Sequence, residues 1–330
     1  MKRRWLMLLL AAVWMLTGCT GQKEKTVSGT GFYFDTVVTL TLYGAPDGLL
    51  EELWQACAHY EQLFSRTVSG SDVDRINRAE GRTVTVDAET WELLCGARKI
   101  SAATGGAFSM TIAPLSEQWQ FTGDEHTLPD EDRLKAALAL VDDSRLVLGE
   151  ENTVTLPPGM QIDLGGIAKG YIADRLATMI RGKVSGAVMN FGGNVYVLGT
   201  KTDGSAFRVG IADPLNPSDT AAIISVRDAS VVTSGTYQRC FVLDGQLYHH
   251  ILDPDTGIPA DTGLASVTVV AENSMTADAL ATACVVLGEE KAEALLNDWQ
   301  LQGLWIRNDG SIGMTGEMQE KYGVQLPGRK

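Results

Sequence analysis

The chain has 330 residues, with 41 acidic and 27 basic side chains and a formal net charge of −14. This charge excludes nucleic acid as an expected partner, because binding to a phosphate backbone requires a surplus of Lys and Arg. The composition, 45% hydrophobic and 21% charged, is that of a globular protein long enough to bury a large core.

The first 18 residues have the pattern of a secretory signal. A basic start, Lys2-Arg3-Arg4, precedes an apolar run over residues 5–16 that is short for a permanent membrane helix. Small residues and Cys19 follow, an arrangement that resembles the lipobox of bacterial lipoproteins. The resemblance implies cleavage before Cys19, lipid attachment to it, a polar tether over residues 19–30, and a location on the extracytoplasmic face of the bacterial cell membrane.

The first half of the remaining chain mixes predicted strands and helices. Alternating β-branched and aromatic residues predict one long strand over residues 31–43, and Ser71 is placed to cap a short helix. Apolar periodicity predicts further helices over residues 47–64, 88–104 and 129–140, and a hairpin over 144–148 and 153–156.

A short strand is predicted over residues 160–164, followed by Gly165-Gly166 and a helix. The helix is indicated by apolar residues that recur at helical spacing through Ile180. A helix start after paired glycines presents backbone N–H groups that stabilise anions such as phosphates. Lys169 adds a positive charge there, and Asp163 is placed either to bind a ligand or to fix the turn.

Beyond this helix the pattern is mostly β, with a turn at Gly192-Gly193 and a return to helices over residues 274–287 and 289–299. Strands and helices alternate irregularly, which favours an α+β fold over a doubly wound parallel sheet.

Two later segments carry candidate catalytic groups. Asp278 and Thr282 lie four residues apart, so a helix places both on one face, and oxygen ligands in this small number suit Mg²⁺. His250 is the candidate general base, because an imidazole titrates near neutral pH. Its neighbour His249 points to the opposite side if the segment is a strand.

Together, the motifs resemble the ApbE family of FAD:protein FMN transferases. The resemblance covers nearly the whole chain after the signal and is carried by segments at residues 34–36, 71–77, 105–108, 163–170, 190–194, 233–239, 248–259 and 276–282. It implies that residues 31–330 form an ApbE-like domain, an α+β fold of mixed, mostly antiparallel sheets with flanking helices.

The resemblance also implies the site residues. Mg²⁺ is expected to be bound by the backbone carbonyl of Gly166 and the side chains of Asp278 and Thr282. Two positions depart from the pattern of other members, Thr67 in place of a Tyr and Ser109 in place of an Asp. The residues expected to contact FAD are Phe34, Ala107, Phe108, Ser109, Asp163, Lys169 and Leu252.

The implied activity is Mg²⁺-dependent transfer of FMN from FAD to a Thr or Ser hydroxyl of an acceptor flavoprotein, with release of AMP. The acceptors would include subunits of membrane redox complexes. Two alternatives use the same residues: a Mg²⁺-dependent FAD pyrophosphatase, in which water replaces the acceptor hydroxyl, and a lipoprotein that binds FAD without reaction.

Overall fold

A computed structural model describes residues 25–121, 123 and 126–327. The predicted signal segment, Cys19 and the first part of the predicted tether lie outside these residues. Within the described ranges, no helix combines the length and apolar character needed to cross a membrane.

An eight-stranded antiparallel sheet forms the centre of the protein. From one edge to the other its strands are β1 (Thr26–Tyr33), β2 (Thr36–Tyr43), β6 (Gly186–Phe191), β7 (Asn194–Gly199), β10 (Ala229–Gly235), β13 (Leu264–Ala271), β14 (Gln302–Arg307) and β15 (Ile312–Met314).

The smaller sheets are antiparallel as well. They are a three-stranded sheet of β3 (Val84–Thr85), β5 (Thr153–Thr155) and β4 (Val147–Leu148), and two hairpins, β8 (Phe207–Asp213) with β9 (Asn216–Val226) and β11 (Cys240–Leu243) with β12 (Gln246–His249).

The α-helices of the described residues flank these sheets. They are α1 (Leu49–Phe64), α2 (Asp72–Asn77), α3 (Ala88–Ala103), α4 (Ala113–Ser116), α5 (Glu131–Leu138), α6 (Ala168–Ile180), α7 (Ser274–Leu287), α8 (Glu289–Asp298) and α9 (Met318–Tyr322). The predicted α+β class with mostly antiparallel sheets is confirmed.

The central sheet is covered on both faces. On one face, apolar residues of β2, β6 and β7 pack with α1 and α6, as in the cluster that contains Leu40, Met189 and Ile172. On the other face, Val231 and Leu304 pack against the β8–β9 hairpin. All eight residues of β13 are buried, because both faces of the sheet are covered at this central strand.

The prediction of one strand over residues 31–43 is wrong. Phe34 and Asp35 have φ of 56° and 55° and form a two-residue turn between β1 and β2. Positive φ at both central residues matches the twist of a hairpin, but Gly and Asn usually mark such a turn and neither is present. Because β1 starts at Thr26, the last residues of the predicted tether belong to the sheet.

Residues 160–164 do not form the predicted strand either. The segment is irregular, although Met160, Ile162 and Leu164 are buried. Its backbone is paired through a side chain: Asn77 accepts from the Ile162 N–H at 2.7 Å and donates to the Ile162 carbonyl at 2.9 Å. Apolar periodicity identified the burial, but a buried run does not by itself distinguish a strand from other extended backbone.

Candidate active site

The site is built where α6 and α7 cross. Gly170 permits the close approach, since a Cβ there would lie 2.3 Å from the Ser274 carbonyl oxygen at the start of α7. One turn further along α7, the Asp278 carboxylate accepts a hydrogen bond from the Gly170 backbone N–H at 2.9 Å. The crossing therefore places a buried carboxylate at the N-terminal turn of α6.

A second carboxylate fixes the start of α7. Asp174 on α6 accepts hydrogen bonds from the backbone N–H groups of Ser274 at 2.8 Å and Met275 at 2.9 Å, and from the Asn273 amide at 3.0 Å. An anion is favourable at a helix N-terminus, and burial raises the pKa of Asp174 to about 6. This contact sets the register of α7, and hence the position of Asp278.

Gly166, Phe108 and Thr282 lie together, one turn along α7 from Asp278. A Cβ at Gly166 would lie 3.4 Å from the Phe108 ring and 3.6 Å from the Thr282 hydroxyl oxygen. Thr282 contacts the Ser234 hydroxyl at 3.2 Å. Because Gly166 has no side chain, its backbone faces the Phe108 ring and the Thr282 hydroxyl directly, which permits close approach of a ligand to the backbone.

Lys169 links the Gly165-Gly166 turn to the Asp278 carboxylate. Its ammonium donates to the Gly165 carbonyl at 2.5 Å and lies 3.9 Å from the Asp278 carboxylate. Burial raises the pKa of Asp278, while Lys169 and the Gly170 N–H oppose that rise. A positive charge is thus already held between a backbone carbonyl and a buried carboxylate.

Asp163 fixes the turn that precedes α6. One carboxylate oxygen accepts from the Gly165 N–H at 2.8 Å, and the other lies 3.6 Å from the Arg66 guanidinium. The N-cap residue of α6, Ile167, gives no side-chain cap, and the first-turn N–H groups have other partners: those of Ile167 and Ala168 donate to the Leu164 carbonyl and that of Gly170 to Asp278. Arg66 and Lys169 are the groups at this turn that suit a phosphate.

The segment from Ala107 to Ser109 is tied to this turn. Asp143 is buried and accepts from the Ser109 hydroxyl at 2.8 Å and from the Met110 and Thr111 N–H groups at 3.0 and 2.9 Å. The Met110 carbonyl in turn accepts from the Asp163 N–H at 2.8 Å.

Ala107 lines an adjacent cleft of about 350 Å³. Asp253 and Asp255, in the turn that follows Leu252, also line this cleft. This cleft provides space for a ligand next to the segment that the sequence assigned to FAD.

His250 follows β12 and is held by its backbone N–H, which donates to the Arg239 carbonyl at 3.0 Å. Burial, reinforced by the positive charges of Arg239 and Lys169, lowers its pKa to about 4. Its Nδ1 is buried without a hydrogen-bond partner. The imidazole is therefore neutral at pH 7 and able to accept a proton. His249 is different, because its Nε2 contacts the Ala260 carbonyl at 3.0 Å, a structural role.

The two remaining predicted FAD contacts, Leu252 and Phe34, lie in other segments. Leu252 is buried in an apolar cluster with Trp119 and Phe241. Phe34 is in the β1–β2 turn, where its N–H donates to the Glu61 carboxylate at 2.8 Å. Thr36, two residues after Phe34, packs against Gly192. A Cβ at Gly192 would lie 2.1 Å from the Thr36 hydroxyl oxygen. The structure thus brings Phe108, Lys169 and the three expected metal ligands together, while Leu252 directly precedes the turn that lines the Ala107 cleft.

The sequence did not single out Arg66 or Asp143, and it marked Ser234 only as part of the segment 233–239. Their partners lie far along the chain, at Asp163, Ser109 and Thr282 respectively. A local pattern carries no signal for such contacts. Asp143 also has the charged neighbours Asp142 and Arg145, a pattern typical of a solvated surface.

The residues fit the expected Mg²⁺. The described part of the chain has no group of three or more His, Cys, Asp or Glu side chains arranged to hold a metal. It does have a buried carboxylate, a hydroxyl, and a backbone segment left open by Gly166, a donor set of hard oxygens that Mg²⁺ completes with water and phosphate. The Lys169 ammonium lies between the Gly165 carbonyl and the Asp278 carboxylate, so a positive charge is favourable at this position.

Comparison with known proteins agrees with this geometry. A sequence profile described as the ApbE family matches residues 34–305. A FAD:protein FMN transferase of Klebsiella pneumoniae is 38% identical over 307 residues, covering 91% of this chain and 95% of the relative. One of Treponema pallidum is 39% identical over 294 residues, covering 83% and 81%.

Solved structures share the fold. The ApbE protein of Thermotoga maritima is 32% identical, with a TM-score of 0.83, and the match covers 90% of this chain and 99% of that one. The apo form of the flavinyl transferase ApbE of Pseudomonas stutzeri is 28% identical, with a TM-score of 0.82 and coverage of 92% and 98%. The chain belongs to the ApbE family, which confirms the resemblance found in its motifs.

Proposed function

We propose that this chain is a FAD:protein FMN transferase that moves FMN from FAD to a Ser or Thr hydroxyl of an acceptor flavoprotein and releases AMP. The observation that carries the proposal is the buried Asp278 carboxylate at the start of α6, within 3.9 Å of Lys169. Family membership and the names of the relatives support the same activity.

The FAD diphosphate binds beside the first turn of α6. There, the side chains of Lys169 and Arg66 offset its negative charge. Charge develops on the phosphoryl oxygens during displacement at phosphorus, so donors fixed in advance lower the barrier. Asp163 is held by the Gly165 N–H at 2.8 Å and by Arg66 at 3.6 Å, in a position to accept a hydrogen bond from FAD.

The acceptor hydroxyl attacks the phosphorus atom of the FMN half. A new P–O bond forms to the Ser or Thr oxygen, and the P–O bond to AMP breaks. His250 takes the hydroxyl proton through its neutral imidazole. A pKa of about 4 makes it a weak base in the free protein, but the negative charge of bound diphosphate favours the protonated form and so strengthens the base.

Asp278, Thr282 and the Gly166 carbonyl would hold Mg²⁺. When bound, the ion supplies positive charge that polarises the diphosphate. The contribution of the chain is to keep these oxygen donors in place: Asp278 through Gly170, and Thr282 through Ser234.

We also propose that Cys19 carries a lipid anchor that keeps the domain on the extracytoplasmic face of the membrane. The support is the signal-like sequence before Cys19. Such a position would bring the enzyme to acceptor subunits of membrane redox complexes.

One incubation tests the function. The chain lacking residues 1–19 is mixed with FAD, Mg²⁺ and an apo-flavoprotein that carries a Ser or Thr flavinylation site, and the products are separated by chromatography and mass spectrometry. Covalently flavinylated acceptor with AMP in equal amount is expected. Free FMN with AMP would instead indicate a pyrophosphatase, and intact FAD bound to the chain would indicate a binding protein.

A further inference from the structure

A buried carboxylate outside the two catalytic helices holds the segment of residues 107–111. Asp143 begins the short 3₁₀ turn between α5 and β4, and only 7% of its surface is exposed. Leu146, which follows this turn, is fully buried in the same apolar cluster as Met110. The carboxylate is therefore presented from a turn that the core holds in place.

Both oxygens of Asp143 accept hydrogen bonds from this segment. Oδ1 accepts from the Ser109 hydroxyl at 2.8 Å, and from the Thr111 hydroxyl at 2.6 Å and its N–H at 2.9 Å. Oδ2 accepts from the Met110 N–H at 3.0 Å. The two hydroxyls also lie 3.1 Å apart, and that of Thr111 accepts from the Asp142 N–H at 3.0 Å. A carboxylate has only acceptor sites, so it can satisfy all four donors at once.

One peptide group carries this contact to the active site. The peptide between Met110 and Thr111 donates its N–H to Asp143, and its carbonyl accepts from the Asp163 N–H at 2.8 Å. In the same segment, the Phe108 ring lies 3.4 Å from the position that a Cβ on Gly166 would take. Asp143 is thus linked to two residues expected to contact FAD, Phe108 and Asp163.

We propose that Asp143 is a positioning residue that keeps the segment 107–111 in the arrangement that binds FAD. This inference rests on the proposed function, because it assigns Asp143 to the same FAD site. A segment released from the carboxylate occupies that arrangement for only a fraction of the time, and the apparent Kd for FAD rises by the inverse of this fraction. Bound FAD restores the arrangement, so transfer at saturating FAD stays close to normal.

The test is Asp143→Asn, which keeps the size of the side chain. Each oxygen position of Asp143 faces one backbone N–H, that of Thr111 or of Met110. A hydroxyl can turn to accept from the new NH₂ group, but a backbone N–H cannot, so one buried donor loses its partner in either orientation of the amide.

The Kd for FAD is measured by fluorescence quenching at fixed Mg²⁺, and KM and kcat are measured for FMN transfer at saturating acceptor. For Asp143→Asn we expect Kd and KM for FAD to rise at least about 5-fold, with kcat within about 2-fold of the wild type. This split between KM and kcat is the signature of positioning, which a general loss of stability does not produce.

Asp72→Asn is the matched control. Asp72 is also buried, pairs with Arg75, and accepts from the Asp87 N–H and the Thr90 hydroxyl, both at 2.7 Å. These two donors lie at the start of α3, about 20 Å along that helix from the segment 107–111. Asp72→Asn should therefore lower the Tm without FAD and leave the Kd for FAD unchanged.

Thr111→Val carries the test if Asp143→Asn does not fold. Thr111 is fully buried, so the loss of its hydroxyl reaches FAD only through the segment, and the Kd should rise by a smaller factor. The inference is overturned if the folded variants bind FAD with the wild-type Kd, or if Asp72→Asn raises the Kd equally. If the wild-type chain binds FAD without transferring FMN, the proposed function fails, while the comparison of Kd values still decides the role of Asp143.

Discussion

The Asp278 carboxylate and the Gly170 backbone N–H are joined by a 2.9 Å hydrogen bond across the contact between α6 and α7. The bond joins the N-terminal turn of α6 to α7, the helix that carries the expected metal ligands Asp278 and Thr282. Neither helix can shift along the other without breaking it, so the contact that stabilises the fold also sets the geometry of the site.

We predict that Gly170→Ala destabilises the protein and disturbs the site at the same time. The new Cβ would lie 2.3 Å from the Ser274 carbonyl oxygen, and a backbone atom cannot move aside as a flexible side chain can. Overpacking of this kind costs about 1–3 kcal/mol. The measurement is the free energy of unfolding in urea, together with FMN transfer at saturating FAD.

Thr178→Ala is the control for Gly170→Ala, because Thr178 is an exposed residue on the same helix. It should change both quantities only slightly. Wild-type stability in Gly170→Ala would mean that α6 and α7 are free to separate, and the rigid crossing would then be the wrong description.

We predict that His250→Ala slows FMN transfer far more than it weakens FAD binding. A general base acts on the acceptor hydroxyl, so its loss typically lowers the rate about 10²- to 10⁴-fold while leaving the ground-state nucleotide contacts intact. The rate is measured at saturating FAD and acceptor, and the FAD affinity is measured separately by fluorescence quenching. Normal transfer at saturation combined with poor FAD binding would reassign His250 to substrate binding.

The same histidine makes stability depend on pH in the substrate-free protein. The unfolded chain protonates this imidazole below about pH 6.5, whereas burial delays protonation in the folded state to about pH 4. The stabilisation is therefore complete above pH 6.5 and is lost as the pH falls towards 4. Between pH 7.5 and 4.5, His250 therefore lowers the free energy of unfolding by about 2 kcal/mol.

His250→Gln should remove that part of the pH dependence. Urea unfolding of both proteins at pH 7.5 and 4.5 gives four free energies, and their double difference isolates the contribution of His250 from those of Asp174 and Asp278, which titrate in the opposite sense. If the wild type and His250→Gln lose the same free energy of unfolding between pH 7.5 and 4.5, the imidazole is already protonated in the native state.

Much of the site was predictable because its residues lie on regular helices. The strong periodicity of residues 168–180 and 274–287 predicted α6 and α7 closely, and the spacing of four between Asp278 and Thr282 placed both on one face. The features missed depend on contacts between distant segments. Asp143 meets Ser109 across 34 residues, and the turn at Phe34-Asp35 is formed without the Gly or Asn that usually marks it.

The lipid anchor is open to a direct test. Cys19→Ser should release the full-length protein from the membrane fraction without loss of transfer activity in detergent-free extracts, because the expected diacylglyceryl group supplies the membrane affinity. Fractionation of cells followed by immunoblotting measures the distribution. An unchanged membrane fraction would contradict the lipoprotein assignment.

The central claim, that Asp278 supports a cation that the transfer reaction requires, is tested most directly by Asp278→Asn. FMN transfer is followed by the mass of the acceptor protein across a Mg²⁺ titration, with Thr282→Ala as the comparison and Tm without metal as the control for folding. Asp278→Asn should nearly abolish transfer and regain only part of it at high Mg²⁺, whereas Thr282→Ala should mainly raise the Mg²⁺ requirement. Because burial raises the pKa of Asp278, its neutral replacement should keep the metal-free Tm at or above that of the wild type. Wild-type turnover and Mg²⁺ dependence in Asp278→Asn, or a loss of activity matched by a collapse of the metal-free Tm, would contradict the account.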